Sequence, residues 1–368
     1  MPAFDARLRE FSLPLRSPLG TATGELATRD VTILTLAAET ADGDPVRGVG
    51  EAAPLPPWTE DGETCRAALS DVQETLRGGG DVPLEAHPLD DRLIEDLPPA
   101  ARHAVTLATA DAEARVEGVP LASELAERAA IDADPAETVP ANATVGDGSV
   151  AETVSAATSA VEAGFDCLKC KVGARDLDAD LDRLRAVRAA VGDDASLRAD
   201  ANGAWSLAAA ERAMDALADL GFEYVEQPVP ADAHEDLAAL RGRGVDLALD
   251  ESVNAAGEWP RPIPEYADVA VLKPMAQGGP GATAALARHL DSQGVAPVVT
   301  TTIDAAVART AAVHVAAAVP GGGERTHGLA TADLLAEDVA HDPVPVEDGR
   351  IRVPAGPGLA GDAFDELR

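Results

Sequence analysis

Six residues with chemically capable side chains follow one another at regular spacing in the second half of the chain. They are two lysines, three carboxylates and a third lysine, namely Lys169, Lys171, Asp200, Glu226, Asp250 and Lys273. From Lys171 onward, successive members lie 29, 26, 24 and 23 residues apart, which is about the length of one strand-and-helix unit. The spacing therefore predicts one reactive group at the end of each of several consecutive parallel strands.

The lysines stand out because the chain has only three of them. The other 26 of its 29 basic residues are arginines. A buried Lys can shift its pKa and exchange a proton near neutral pH, whereas Arg stays charged. We therefore expect these lysines to take part in chemistry.

The three carboxylates predict a metal site. Carboxylates that meet at the ends of neighbouring strands cannot all stay ionised without a counter-charge, and an all-oxygen ligand set with room for water suits Mg²⁺. Lys169 and Lys171 lie two apart on one strand and so share a face, while Lys273 comes from the far side. A metal between ammonium groups suits removal of a proton next to a carboxylate, because the resulting enediolate needs strong charge stabilisation.

Each residue taken alone also has a simpler interpretation. Asp200 with Asn202, and Asp250 with the residues after it, are typical of helix caps. Glu226 is compatible with a strand exit, and Lys273 with a solvated turn. The joint spacing favours the catalytic interpretation.

The elements that would position these groups alternate between strand and helix from about residue 141 onward. Strands are predicted at 141–145, 167–172, 196–200, 223–226, 247–250, 269–273, 297–301 and near Gly328. Helices are predicted between them, for example at 178–190 and 207–220. This alternation indicates a parallel sheet, and eight strands over about 190 residues favour a closed barrel with its active site at the carboxyl ends of the strands.

The remainder of the chain predicts a second unit. Residues 1–100 read as an α+β domain, 101–335 as the modified TIM barrel, and 336–368 as a segment that returns to the first domain. The net charge of −35 excludes nucleic acid and anionic membranes as partners. An apolar content of 46% argues against disorder, so we interpret the acidity as adaptation to high salt. No signal peptide or membrane span is predicted, and the expected location is the cytoplasm.

Other motifs predict no further chemistry. Cys65, Cys167 and Cys170 do not form a disulfide framework, and the last two lie three apart on a predicted strand, so they face opposite sides. The G-x-G-x-x-G pattern at 356–361 is too close to the chain end for a βαβ unit. His327, near the predicted barrel mouth, is expected to be structural.

Five short motifs resemble those of the enolase superfamily, specifically its muconate-lactonizing branch, and the likeness covers nearly the whole chain. They are Lys169-Cys-Lys171, Asp200-Ala-Asn202, Glu226-Gln-Pro228, Asp250-Glu-Ser252 and Lys273-Pro274. The resemblance implies an α/β fold, with a (β/α)₇β TIM-like barrel and an N-terminal α+β capping domain that the C-terminal tail completes. Loops around residues 20–24 and 54–58 would then set substrate specificity.

Within that branch the chain resembles the o-succinylbenzoate synthases in Arg198, in the Thr-Thr-Thr-Ile-Asp segment at 300–304 and in the segment at 328–335. This resemblance implies Mg²⁺-dependent syn dehydration of 2-succinyl-6-hydroxy-2,4-cyclohexadiene-1-carboxylate to 2-succinylbenzoate, a step of menaquinone biosynthesis. The partner would be this small carboxylate, and no oligomeric state is predicted.

The same resemblance assigns roles to the site residues. Asp200, Glu226 and Asp250 would bind Mg²⁺. Lys171 would remove the α-proton and then protonate the departing hydroxide, Lys273 would stabilise the enediolate from the opposite face, and Lys169 would assist electrostatically. The expected substrate contacts are Arg198, Asn202, Thr301, Thr302 and Gly328.

Rival functions stay open at this point. An N-acylamino acid racemase, or another racemase, epimerase or cycloisomerase of the branch, would use the same lysine pair. A dipeptide epimerase would carry an Asp-x-Asp pair near the last strand, where this chain offers only Asp333. A mandelate racemase-like enzyme would need a His at the seventh strand end, which 300–304 lacks. A non-catalytic metal-binding barrel would not need three retained lysines.

Overall fold

Three antiparallel strands begin the chain. The computed structural model describes residues 4–21, 24–78, 91–254 and 263–368. The first sheet has the order β1-β2-β3 and is followed by helices. Their bounds are β1 Phe4–Thr21, β2 Gly24–Glu39, β3 Pro45–Ala52, α1 Gly62–Gly78, α2 Asp91–Asp96, α3 Pro99–Glu117 and α4 Leu121–Arg128.

Two glycines of β3 let helix α3 lie directly on the sheet. A β-carbon at Gly48 would overlap the carbonyl oxygen of Ala108, and one at Gly50 would overlap that of Ala104. Only glycine permits such a close approach of two backbones. The small residues on both elements therefore fix how this helix packs.

From residue 138 onward, strands alternate with helices. The elements are β4 Thr138–Pro140, β5 Ala143–Val145, α5 Val150–Glu162, β6 Cys167–Lys171, α6 Leu177–Val191, β7 Ser196–Asp200, α7 Leu207–Asp219, β8 Tyr224–Glu226, α8 His234–Leu240, β9 Asp246–Leu249, α9 Glu251–Asn254, β10 Val269–Leu272, α10 Pro274–Gln277, α11 Pro280–Ser292, β11 Ala296–Val299, α12 Ala306–Ala318, β12 Val346–Glu347 and β13 Arg350–Arg352. Short 3₁₀ helices lie at Ile263–Glu265 and Ala332–Leu334.

Strands β5 to β11 form one curled parallel sheet in chain order, so the predicted TIM-barrel-like α/β fold is confirmed. Around the predicted eighth strand, single parallel bridges join Ala141 to His327 and Thr300 to Gly328. These bridges link the two edges of the sheet. The first strand is shorter than predicted, and Asp250 and Lys273 lie directly after β9 and β10 rather than inside them.

The two cysteines of the barrel lie on β6 and are free and buried. Burial raises the pKa of the Cys170 thiol to about 12 and that of the Cys167 thiol to about 11, so neither is a ready thiolate. The expectation that this C-x-x-C pair is not a redox site agrees with this burial.

The first sheet is fixed to the barrel by buried charged side chains. Glu51, at the end of β3, accepts hydrogen bonds from Ala305 N (2.7 Å) and Ala308 N (2.9 Å) at the start of α12. Arg29 of β2 donates to the carbonyl of Ile303 at 3.2 Å. These hydrogen bonds join the N-terminal unit to loops at the carboxyl ends of the barrel strands.

The C-terminal segment contacts both units. Strand β13 pairs with β12 and with β4, the hydroxyl of Thr35 donates to the Leu367 carbonyl at 2.6 Å, and Arg368 lies 3.1 Å from Asp111 of α3. The domain boundaries at residues 100 and 335 stay a prediction. Within the described ranges, no helix is both long enough and apolar enough to cross a membrane.

Candidate active site

The carboxyl ends of neighbouring strands bring the six chemically capable side chains together. Lys171, Asp200 and Glu226 are the last residues of β6, β7 and β8 and are direct partners across the ladder. Asp250 and Lys273 follow β9 and β10. Parallel strands align their carboxyl ends at one edge of the sheet, which is why regular sequence spacing becomes spatial proximity.

Each lysine ammonium contacts a buried carboxylate. Lys169 Nζ lies 2.9 Å from Glu226 Oε1 and 3.1 Å from Asp200 Oδ2. Lys171 Nζ lies 2.7 Å from Asp200 Oδ2. On the other side, Lys273 Nζ lies 2.6 Å from Asp250 Oδ2. The lysines therefore flank the carboxylates from both sides.

Burial and neighbouring charges shift the pKa values of these groups in different directions. Burial and repulsion by Asp200 raise the pKa of Glu226 to about 8. Burial opposes ionisation of Asp200, but Lys169 and Lys171 outweigh it and hold its pKa below the ordinary value. Burial also works against the charged form of Lys169, yet Asp200 and Glu226 raise its pKa well above the usual range. This shift favours the charged form of Lys169, which suits an electrostatic role.

A fourth carboxylate, Glu251, lies at the site and had no role in the sequence analysis. Its Oε1 accepts from Asn202 Nδ2 at 2.9 Å, and its Oε2 is buried with no hydrogen-bond partner among the described residues. Burial, then repulsion by Asp250 and Asp200, raises its pKa to about 7. The only sequence signal was its position directly after Asp250.

Asn202 lies between this carboxylate and a lysine. Its Oδ1 accepts from Lys171 Nζ at 2.9 Å while its Nδ2 donates to Glu251, and its backbone has a φ of +45°. Asn is among the few residues that adopt this left-handed conformation readily. The structure thus places Asn202, which we expected to contact substrate, next to the amine of Lys171.

Two amide side chains that the sequence analysis left without a role hold the turn after β9. Gln227 Oε1 accepts from the backbone N–H groups of Asp250 (3.2 Å) and Ser252 (3.0 Å). Asn254 donates from Nδ2 to Asp250 Oδ1 at 2.9 Å and accepts from Lys273 N at 3.1 Å. Both are buried, so they fix Asp250 and Lys273 relative to each other.

The structure does not bring Arg198 to the carboxylate group. Its guanidinium donates to Glu223 at 2.8 and 3.0 Å and to the carbonyl of Thr326 at 2.9 Å, and it lies over the ring of Tyr224. Arg198 precedes Asp200 by two residues on one strand, which corresponds to about 7 Å of depth in the barrel. At that depth Arg198 contacts residues of the barrel interior. We had expected it to contact substrate at the barrel mouth.

The three remaining expected contacts lie in the loops after the last strands. Thr301 shares a hydrogen bond with Thr331 at 2.9 Å, and Thr302 donates to Asp304 at 2.5 Å. Gly328 pairs with Thr300, whose side chain leaves no room for a β-carbon there. These residues shape the barrel mouth, and the hydroxyls of Thr301 and Thr302 already have protein partners.

His327 has the structural role that we expected. Its Nδ1 accepts from Val299 N at 3.0 Å, and its Nε2 lies 3.1 Å from the carbonyl of Gly322. Burial lowers its pKa to about 3. A neutral ring with both nitrogens bonded to backbone is not available for proton transfer.

The second of the expected cap loops reaches the site. Residues 22–23 of the first loop lie outside the described residues. In the second loop, the Trp58 ring centroid lies 3.2 Å from Lys273 Nζ. An aromatic side chain from the N-terminal unit therefore covers one of the two flanking lysines.

The donor set fits a divalent cation in its chemistry. In the described parts of the chain, no group of three or more His, Cys, Asp or Glu side chains is arranged so that it could hold a metal ion. Lysine ammonium groups contact Asp200, Glu226 and Asp250 in this structure. Yet the carboxylates Asp200, Glu226, Asp250 and Glu251 face three ammonium groups, and repulsion between carboxylates adds to burial in raising the pKa values of Glu226 and Glu251. A hard cation such as Mg²⁺ would offset that repulsion.

Comparison with known proteins identifies the family. Residues 152–366, more than half of the chain, match the family model described as enolase C-terminal domain-like. The chain belongs to the enolase superfamily. This confirms the superfamily that the five sequence motifs indicated.

Its similar proteins within the enolase superfamily catalyse different reactions. The L-Lys-D/L-Arg epimerase of Methylococcus capsulatus is 31% identical over 365 residues, which cover 98% of each chain. An o-succinylbenzoate synthase of Mycobacterium leprae is 39% identical over 224 residues, 60% of this chain and 63% of that protein. The structure of a dipeptide epimerase from Methylococcus capsulatus, complexed with Mg and the dipeptide L-Arg-D-Lys, matches with a TM-score of 0.81 and 29% identity over 98% of this chain and 99% of that one. These likenesses support Mg²⁺-dependent proton abstraction as the general chemistry of this enolase superfamily member.

Proposed function

We propose that the protein dehydrates 2-succinyl-6-hydroxy-2,4-cyclohexadiene-1-carboxylate to 2-succinylbenzoate by removing the proton next to the carboxylate. The observation that carries the proposal is the unequal pair of lysines on the two sides of the carboxylates. The side chain of Lys171 is 36% exposed and that of Lys273 only 8%. An elimination on one face needs one accessible base and one fixed positive charge, which matches this difference.

In this mechanism the neutral amine of Lys171 takes the α-proton, and the C–H bond electrons form the new ring double bond. The C–O bond on the same face then breaks, and the Lys171 ammonium returns the proton to the departing hydroxide as water. Lys273, on the opposite face, offsets the negative charge that develops on the substrate carboxylate. Lys169 stays charged throughout and holds Asp200 and Glu226 in place.

Asp200, Glu226 and Asp250 would bind Mg²⁺ in this proposal. When bound, Mg²⁺ would supply positive charge for the substrate carboxylate and so make the α-proton more acidic. Gln227 and Asn254 would keep Asp250 oriented through the hydrogen bonds described above. The partner of the site is accordingly a small carboxylate.

We also propose that residues 1–100 cap the carboxyl end of the barrel and that residues 336–368 complete this unit. The contacts of Trp58 with Lys273 and of Thr35 with Leu367 support this division. We further propose a working environment of high salt, which the acidic composition supports, and a cytoplasmic location.

A second candidate is a racemase or epimerase of the same branch. Its support is the epimerase relative that matches along 98% of the chain, together with lysines on both faces. A dipeptide substrate has less support, because the segment near the last strand has no Asp-x-Asp pair and Asp333 is exposed on its 3₁₀ helix.

The experiment follows loss of the cyclohexadiene absorbance with Mg²⁺ present, beside a racemisation assay with N-acylamino acids. We expect dehydration in the wild type and a loss of 10²- to 10⁴-fold in Lys171→Ala. The matched control is Arg185→Ala, which removes an exposed cation of α6 and should retain activity. Dehydration that survives Lys171→Ala would overturn the mechanism, and racemisation without dehydration would favour the second candidate.

A further inference from the structure

The ammonium of Lys273 lies between an aromatic ring and a carboxylate. The Trp58 ring centroid is 3.2 Å from Nζ on one side, and Asp250 Oδ2 is 2.6 Å away on the other. A cation over an indole face is stabilised electrostatically by the ring, and more strongly where water is excluded. The side chain of Lys273 is only 8% exposed, so the contact belongs to the stronger class.

The loop that carries Trp58 is braced at its start. Arg29 donates to the carbonyl groups of Ala53 at 2.7 Å and Pro54 at 2.8 Å. Within the loop, Leu55 N donates to the hydroxyl of Thr59 at 2.7 Å. A half-exposed Trp on an unbraced loop would sample several rotamers, whereas this one begins from a fixed backbone.

The loop is also tied at its far end and to the barrel. The carboxylate of Glu60 accepts from the N–H groups of Ala100 and Ala101, both at 3.0 Å, at the start of α3. The N–H of Ala53 donates to the sulfur of Met275 at 3.4 Å. Met275 lies two residues after Lys273, so the loop contacts the same turn of the barrel twice.

The other flanking lysine is held differently. Lys171 is fixed by two polar partners, Asp200 and Asn202, and its side chain is 36% exposed. Within the described residues, Lys273 is the lysine whose ammonium lies over an aromatic ring. The protein thus uses its N-terminal unit to fix the charge on only one side of the site.

We propose that Trp58 is a positioning residue for Lys273, through which the N-terminal unit sets where the fixed positive charge of the site lies. The inference rests on the proposed function, in which Lys273 offsets negative charge on the substrate. Trp58 acts through the lysine and does not touch the reacting atoms. Because the charge is useful only at one place, loosening it lowers turnover more than binding.

The presence of only three lysines permits a direct test. Protein labelled with ¹³C at lysine Cε should give three side-chain signals, each assigned by substitution of one lysine. We expect the Lys273 signal to be shifted upfield by the ring current of the indole, to lose that shift in Trp58→Leu, and to retain most of it in Trp58→Phe. Trp205→Leu, which removes a different indole, near Gly173, is the control and should leave the signal in place. A Lys273 signal without an upfield shift, or one unchanged in Trp58→Leu, overturns the proposal.

Kinetics provide the second readout. Trp58→Leu should lower kcat about tenfold with KM within threefold, and Trp58→Phe should recover most of the loss. A rise in KM with kcat unchanged would mean that Trp58 binds substrate instead, and would also overturn the proposal. Failure of the proposed function is distinguishable, because the wild type would then show no dehydration, whereas the ring-current shift of the Lys273 signal does not depend on activity.

Discussion

Replacing Glu51 with Gln should change how the stability of the protein depends on pH. Glu51 is fully buried, and its two oxygens accept from Ala305 N and Ala308 N at the start of α12. Burial, followed by repulsion from Asp304, raises its pKa from the ordinary 4.5 to about 8 in spite of those hydrogen bonds. Gln keeps the size and one acceptor oxygen but cannot ionise.

The sign of the pH dependence follows from whether the folded or the unfolded chain binds the Glu51 proton more tightly. Below pH 4.5 Glu51 is protonated in both the folded and the unfolded chain and contributes no pH dependence. Between pH 4.5 and 8 the unfolded chain releases this proton and the folded chain keeps it, so rising pH favours unfolding. Above pH 8 the penalty is constant. A pKa of about 8 in place of 4.5 corresponds to at most about 5 kcal/mol of unfolding free energy.

The assay is urea unfolding of wild type and Glu51→Gln at several pH values from 5 to 8.5, at one fixed high ionic strength. We expect the variant to be about 1 kcal/mol less stable at pH 5, because an amide N–H₂ faces a backbone N–H. Relative to wild type it should then gain at least about 2 kcal/mol by pH 8.5. The control is Glu60→Gln, which makes the same change in a half-buried carboxylate that accepts from two N–H groups at the start of α3. It measures the loss of stability caused by the amide substitution itself. Parallel curves for wild type and Glu51→Gln would refute the reasoning.

Three further predictions concern the site and the charge of the whole protein. Asn202→Ala removes an acceptor 2.9 Å from Lys171 Nζ, so steady-state kinetics should show kcat reduced about tenfold with little change in KM; an unchanged kcat would contradict this. Gln227→Leu frees the N–H groups of Asp250 and Ser252, and calorimetry should find Mg²⁺ binding 10- to 100-fold weaker, whereas wild-type affinity would show that this brace is dispensable. With a net charge of −35, the melting temperature should rise steadily as KCl is added, and a flat dependence would argue against salt adaptation.

The sequence motifs carried most of the information about the fold and the identity of the candidate site residues. The strand-and-helix alternation indicated the parallel sheet, and the structure has it in chain order. Single residues are less well predicted. Gln227 and Asn254 give no sequence signal, because amides in a turn are recognised only when their hydrogen-bond partners are known, and the only sequence signal of Glu251 is its place next to Asp250.

Depth along a strand explains the main difference at the site. Arg198 and Asp200 share a face of β7, so period-two alternation predicts the same environment for both. The barrel interior is layered, however, and two residues of rise place Arg198 beside Glu223 rather than at the mouth. Sequence spacing gives the face of a strand but not the layer at which its side chain finds a partner.

By itself, the sequence determined which groups meet. Parallel strands place their carboxyl ends at one edge, so lysines and carboxylates at strand-length spacing must converge. Only the tertiary structure decided how unequal the two flanking lysines are. Trp58 reaches Lys273 from the loop after β3, and Asn202 turns back onto Lys171, because such contacts depend on how loops dock on the curled sheet. No local pattern encodes that docking, since it is set by packing between segments far apart in the chain.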